Sequence, residues 1–386
     1  MSPSDLVQNE TSLPIIGPCL SVRGSLTVIG FTLTLWLIFP WVWANTDSFV
    51  TPRDYRTPIV LSDDYWQFSE FTQQTSARNQ VTIFGDSVIW GEYVLPNHSL
   101  AGHLNRSQEQ LEFANGGVNG MHPLAMEGLV KHFAQSVQSS PVLLHCNLLW
   151  LSSPDRDLRT TKELPFNHPT LVPQFDPWIP CYHATISDRL GNLVFQRSSL
   201  RQLVRHQRSI YFSGLTYPTW SLQRGRLRRA GTPVPPQTIT SRLPQNKLRH
   251  QPIPWTERGI SRQSYPWVDL NDSLQWEAFQ KTLVELKSRE CDVFVLVGPI
   301  NAHLLEADSQ QRWSQLRASI SRWFSSHQVN HAAPDVLPSV LYGDASHPLD
   351  EGYQHLATEL LADVDFQDWL KRNSNENASR EKGSKK

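Results

Sequence analysis

Apolar positions along this chain fall into short runs, each followed by a longer segment of helical spacing. Val81–Phe84 reads as a short buried strand, and Ser99–Asn105 as the start of a helix. Leu111–Ala114 is a second strand, running into the loop Asn115-Gly116-Gly117-Val118-Asn119-Gly120. Pro123–Ser136 sets Leu124, Met126, Leu129, Val130 and Phe133 at helical spacing, and Pro141–Leu149 is a third strand. The rhythm stops after Leu151. It resumes with the amphipathic Trp276–Arg289, the strongly apolar strand Asp292–Val297 and the long helix Ser309–His327. The strand-like run Val336–Tyr342 and the helix Glu351–Leu361 close the series. Strands alternating with helices predict an α/β domain: a three-layer α/β/α sandwich with a central parallel sheet.

This pattern places the domain at about 78–370, with 152–275 as an insertion rich in Pro, Arg and Trp that carries a few helices such as Ser198–Gln207. Residues 45–77 are polar and mixed, a linker and first packing layer. Residues 371–386 lack Leu and aromatics and read as a disordered tail. Behind an N-terminal segment of 1–24, residues 25–44 hold no charge and span roughly 30 Å as a helix, the thickness of a bilayer core. Trp36, Trp41 and Trp43 lie towards its end, where an interfacial belt belongs. An uncleaved anchor fits that length; a signal peptide cleaved after Val42-Trp43-Ala44 is the other reading. Either places the body of the chain outside the cytoplasm.

The 386 residues carry a formal charge of −1, which offers no global argument for nucleic-acid binding. The charge is unevenly spread, however. Between Gln196 and Arg262 there are twelve arginines and Lys247 against a single acidic residue, Glu257. Arginine forks suit phosphate and carboxylate groups; a solvated face paired with the acidic remainder is the plainer reading. Of four cysteines, Cys146, Cys181 and Cys291 follow the apolar segment, enough for one disulfide at most. His327 and His331 have i, i+4 spacing without a third ligand nearby, so no metal is expected.

Chemistry enters at Gly85-Asp86-Ser87, at the end of the first strand, and Asp344-Ala345-Ser346-His347, far downstream. A serine hydroxyl is a weak nucleophile until a base takes its proton. His347 suits that role, since imidazole titrates near neutrality, and Asp344 at i−3 can hold its tautomer. Each motif alone is common in turns; both follow apolar runs and occur in the order Ser, Asp, His. An oxyanion formed by attack on an ester needs donors. Ser87 N–H, Gly120 N–H and the side chains of Asn147 or Asn301 are the candidates.

These blocks resemble those of the SGNH hydrolases, the GDSL esterase/lipase superfamily. Gly85-Asp86-Ser87 matches the nucleophile block, Val118-Asn119-Gly120 the glycine block, and Asp344-Ala345-Ser346-His347 the block of the base. The third block departs: Cys146-Asn147-Leu148-Leu149 stands where the family has Gly-x-Asn-Asp, and Gly298-Pro299-Ile300-Asn301 resembles a later Pro-x-Asn. The resemblance covers about 78–150 and 276–365. It implies a serine esterase or O-acyltransferase without metal or organic cofactor. Analogy with membrane-anchored members suggests acyl, chiefly acetyl, esters of cell-envelope glycans as substrate. The alternative is a non-catalytic envelope protein that binds an anionic polymer through the Arg-rich insertion.

Overall fold

The structure is a computed structural model, and it describes residues 21–46, 50–211 and 247–384. The chain divides into two units, Met1–Ser48 and Phe49–Lys386. In the first, helix α1 (Val22–Thr46) has a mean hydropathy of 1.8 over its most apolar window, and that window is 6% buried. By length and composition it is apolar enough to cross a membrane, and a signal sequence has the same character.

The second unit is an α/β domain on a five-stranded sheet, all parallel, in the order β2-β1-β3-β4-β5. The strands are β1 (Val81–Gly85), β2 (Phe113–Gly117), β3 (Pro141–Cys146), β4 (Asp292–Val297) and β5 (Asn330–Ala332). Side chains alternate across it, as a pleated strand requires. Phe84, Val142, Leu144, Val293 and Val295 join one apolar cluster, while Ile83, Leu143, Phe294 and Leu296 join another. The first cluster holds buried side chains from helices α2 (Tyr65–Ala77), α5 (Pro123–Phe133), α8 (Leu274–Ser288) and α9 (Ala307–Ser326). The second holds those of α4 (Leu100–Ser107), α10 (Asp350–Ala362) and α11 (Val364–Ser384). Runs of Val, Leu, Ile and Phe without polar alternation are what a sheet buried on both faces demands.

Several boundaries differ from the sequence reading, each for a physical reason. The second strand runs through Asn115, Gly116 and Gly117, which read as loop. Gly117 belongs there because the backbone of residues 89–90 passes over it: a Cβ would lie 2.3 Å from Trp90 N and 2.7 Å from the Ile89 carbonyl carbon. The third strand stops at Cys146, because Asn147 turns the chain into the 3₁₀ segment Leu148–Leu151 by accepting from Leu149 N. Val336–Tyr342 is not a strand; the fifth strand is the short, polar Asn330–Ala332. Within the supposed linker, α2 buries Tyr65, Phe68 and Phe71 in the core. The supposed tail continues α11, held by Trp369 and Leu370 in the core and by Asn373 Nδ2 donating to Asp292 Oδ2 at 2.9 Å.

The insertion is also less separate than its composition suggests. Leu171, Val172, Ile179, Cys181 and Tyr182 are buried in the main cluster. Asp157 caps α8 by accepting from Leu274 N and Gln275 N, both at 3.2 Å. Its helices are α6 (Ile186–Arg197) and α7 (Ser199–Tyr211), the latter near the expected Ser198–Gln207. Arg224, Arg226, Arg228, Arg229 and Arg242 lie outside the described residues. Cys146, Cys181 and Cys291 are free, buried thiols.

Replacing Gly117 with Ala forces apart β2 and the turn that carries Ser87. The expected cost is about 1–3 kcal/mol, read as a lowered midpoint of chemical unfolding of the full chain; an unchanged midpoint would show that the turn yields freely.

Candidate active site

Parallel strands put all their carboxyl ends on one edge, and the chain order reverses direction between β1 and β3, where ligand crevices form in such sheets. Three expected site segments leave that edge: Ser87 after β1, Asn147 after β3 and Asn301 after β4. Ser87 opens a four-residue helix, α3 (Ser87–Trp90), whose N-cap Asp86 accepts from Val88 N at 2.9 Å. The far end of α3 is held by Arg56. Its Nη1 donates to the carbonyls of Trp90, Gly91 and Val94, and its guanidinium sits 3.9 Å over the Trp90 ring. Burial lowers the Arg56 pKa to about 10.

Asp344 and His347 come from a loop between β5 and α10. Their spacing makes a tight turn in which Asp344 Oδ1 accepts from Ser346 N and His347 N, each at 3.0 Å. His347 Nδ1 donates to the same carboxylate, 2.8 and 2.9 Å from its two oxygens. That leaves Nε2 as the acceptor for Ser87 Oγ, 2.7 Å away across 260 residues of chain. Thus Ser87, His347 and Asp344 meet in a hydrogen-bonded line.

Electrostatics tune this line. Burial of Asp344 opposes its ionisation, but His347 and the two backbone amides outweigh that and hold its pKa well below the usual carboxylate range. Burial likewise opposes the imidazolium of His347. Asp344, with Asp86 and Glu92 behind it, reverses the balance and raises the His347 pKa above 6.5.

The other expected residues have distinct places. Asn147 Nδ2 donates to Asp86 Oδ2 at 2.7 Å, on the nucleophile's side of the site. Asn301, 1% exposed, donates through Nδ2 to Asp344 O at 3.0 Å and through its backbone to Ala345 O at 2.9 Å. It buttresses the loop that carries the base. Gly120 lies just past β2 in a left-handed conformation, φ 73°. Neither its N–H nor that of Ser87 donates to another group among the described residues.

Sequence reasoning missed the supports. Trp150 Nε1 donates to Asp86 Oδ2 at 2.8 Å. His145 lies with Nδ1 3.4 Å from Asp86 Oδ1 and donates through Nε2 to Gly298 O at 2.8 Å, tying β3 to the end of β4. Asp86 is 3% exposed; burial opposes its charge, and His145, Val88 N–H and His347 prevail, setting its pKa at about 2. Tyr93 donates its hydroxyl to Asp344 Oδ2 at 3.1 Å, with its ring edge-on to His347 at 5.9 Å. Gly343 makes room for that ring, since a Cβ there would lie 2.9 Å from Tyr93 Cδ2. Tyr93 stands six residues past the serine, yet no local pattern links it to residue 344. Among the described residues, no cluster of three or more His, Cys, Asp or Glu is arranged to hold a metal.

No protein-family model matches this chain, and no curated protein matches its sequence. The geometry therefore carries the chemical reading by itself. A serine with an oriented imidazole and two uncommitted backbone donors on the same sheet edge is suited to acyl transfer.

Because Asp344 holds the imidazolium, His347 is expected to titrate above 6.5 when followed by histidine-selective NMR of the full chain. In Asp344→Asn that attraction is gone while burial remains, and only Asp86 and Glu92 still favour the charged form, so the titration should move down. An unchanged midpoint would mean the carboxylate does not govern the imidazole.

Proposed function

We propose that this chain is a serine-dependent ester hydrolase or O-acyltransferase acting on acyl, chiefly acetyl, esters, with cell-envelope glycans as the acyl carriers. The observation that carries this reading is the line Ser87 Oγ to His347 Nε2 at 2.7 Å and His347 Nδ1 to Asp344 at 2.8 Å. The order of Ser, Asp and His in the chain, the parallel sheet and the blocks described above all favour an SGNH-type three-layer sandwich. Under the same proposal, α1 anchors the protein in a membrane, with the domain on the extracytoplasmic side.

The reaction follows from the geometry. Ser87 Oγ attacks the ester carbonyl carbon as its proton passes to His347 Nε2. Negative charge develops on the former carbonyl oxygen, where the N–H groups of Ser87 and Gly120 are free to donate. Asn147 is the side-chain candidate to join them; holding Asp86, it also fixes the N-cap of the serine's helix. Asp344 stabilises the imidazolium formed in this step. Collapse of the intermediate breaks the bond to the alcohol, which leaves with the proton from His347, and an acyl-serine remains. Water, or a sugar hydroxyl in a transferase, then gives its proton to His347 and takes the acyl group. Either acceptor uses the same residues.

The test is turnover of a chromogenic acetyl ester by the full chain in detergent. Ser87→Ala is expected to lower kcat by roughly 10⁴-fold or more with the unfolding midpoint unchanged. Equal turnover in that variant would remove the serine mechanism. A base must be neutral to accept the serine's proton, so kcat/KM should rise with pH through the His347 pKa, on a limb above 6.5. Asp344→Asn should cost about 10⁴-fold in kcat.

A further inference from the structure

The described arginines of the insertion do not all face solvent away from the site. Arg258 ends the 3₁₀ turn Trp255–Arg258, and that turn is fastened to the loop bearing Asp344 and His347. Trp255 is buried with Leu304, Leu337 and Tyr342, its backbone N–H donates to Tyr342 O at 2.9 Å, and its Nε1 donates to Ser339 O at 3.0 Å. From this base the Arg258 side chain reaches the rim of the triad. Nη1 donates to Tyr93 OH at 2.5 Å and to Gly343 O at 3.0 Å, with the guanidinium carbon 5.2 Å from the Tyr93 ring centroid. Since that ring lies 5.9 Å from the His347 ring, the guanidinium stands no more than about 11 Å from the imidazole.

The nearby Arg249 and His250 share the carboxylate of Glu92. Arg249 Nη1 lies 3.0 Å from Glu92 Oε1 and His250 Nε2 lies 2.8 Å from it, with the His250 ring 5.5 Å from Tyr93. Glu92 also accepts from Asn119 Nδ2, next to Gly120, and is thereby fully engaged. Arg258 differs. It is exposed, makes no ion pair among the described residues, and has only Nη1 committed, leaving Nη2 and Nε open. A guanidinium already fixed in place loses little freedom when it meets a planar or tetrahedral anion, and two of its donors remain for a fork.

We propose that Arg258 determines specificity: its guanidinium receives a carboxylate or phosphate carried on the sugar that bears the ester or on its neighbour. The chain then acts on acyl esters of anionic glycans in preference to neutral ones. This rests on Ser87 being the nucleophile and names the substrate class that the proposed function leaves open.

Three probes differ at a single carbon: methyl glycosides of glucose, glucuronate and glucose 6-phosphate, each acetylated at the same hydroxyl. Two readouts on the full chain in detergent separate the questions, kcat/KM with the unaltered protein and Kd with the Ser87→Ala protein, which retains the ester. At least one anionic ester is expected to exceed the neutral one by about tenfold in both, with the advantage shrinking as salt rises. Comparison of the two anions tells carboxylate from phosphate. Arg258→Gln should bring the ratio to about one, and Arg258→Lys should keep part of it. A merely structural arginine, holding Tyr93 and the loop, would weaken all three esters in parallel and leave the ratio intact. That result, or equal affinity for neutral and anionic esters in the unaltered protein, overturns the assignment. An Arg258-dependent binding preference without Ser87-dependent turnover would uphold the anion site and sink the esterase reading.

Discussion

The carboxylate of Asp86 is the knot on which the site's arrangement depends. It is buried at the point where β1, β3 and β4 end side by side, and a buried charge must be fully satisfied to persist. Val88 N–H, Asn147 Nδ2 and Trp150 Nε1 satisfy it, and His145 stands beside it while donating to Gly298 O beyond β4. One group thereby sets the helix that presents Ser87, the turn after β3 and the spacing to the strand that leads to Asn301. The sheet supplies the edge; Asp86 fixes what is built on it.

A second set of contacts holds the opposite half. Asn301 grips the carbonyls of Asp344 and Ala345, while Tyr93 reaches back from the serine's side to Asp344 Oδ2. The two halves of the line are thus joined by Tyr93 as well as by the serine–imidazole bond. Three carboxylates, Asp344, Asp86 and Glu92, surround the imidazole and favour its charged form. Such a field suits a base that must carry a proton between two transfers, at the cost of a higher pH for its resting neutral state. On the other side of Tyr93 stands Arg258, a cation with no ion pair among the described residues, while Arg249 is paired with Glu92.

Much of this architecture could be read in the sequence, and the exceptions have physical causes. Asp292–Val297 was legible because a strand buried on both faces is an unbroken apolar run. Asn330–Ala332 was not, because an edge strand of three residues needs neither length nor apolarity. Gly116 and Gly117 read as loop since glycine signals turns, whereas here it signals a backbone passing close overhead. Residues 371–386 read as a tail because they lack Leu and aromatics; the helix that continues into them is anchored upstream by Trp369. At the site, Ser87, Asp344 and His347 were legible because their chemistry has a local spacing. Tyr93, Glu92, His145 and Arg258 were not. Their partners lie from 27 to more than 250 positions away, and only the folded sheet edge makes neighbours of them.

All of this presumes a serine made nucleophilic by its surroundings. Treating the detergent-solubilised chain with a serine-directed fluorophosphonate and mapping the adduct by peptide mass spectrometry asks that question without choosing a substrate. The expected result is a single phosphonylated residue, Ser87, formed faster as pH rises past neutrality. A chain that stays unmodified, or carries the adduct on a serine away from His347, would contradict it.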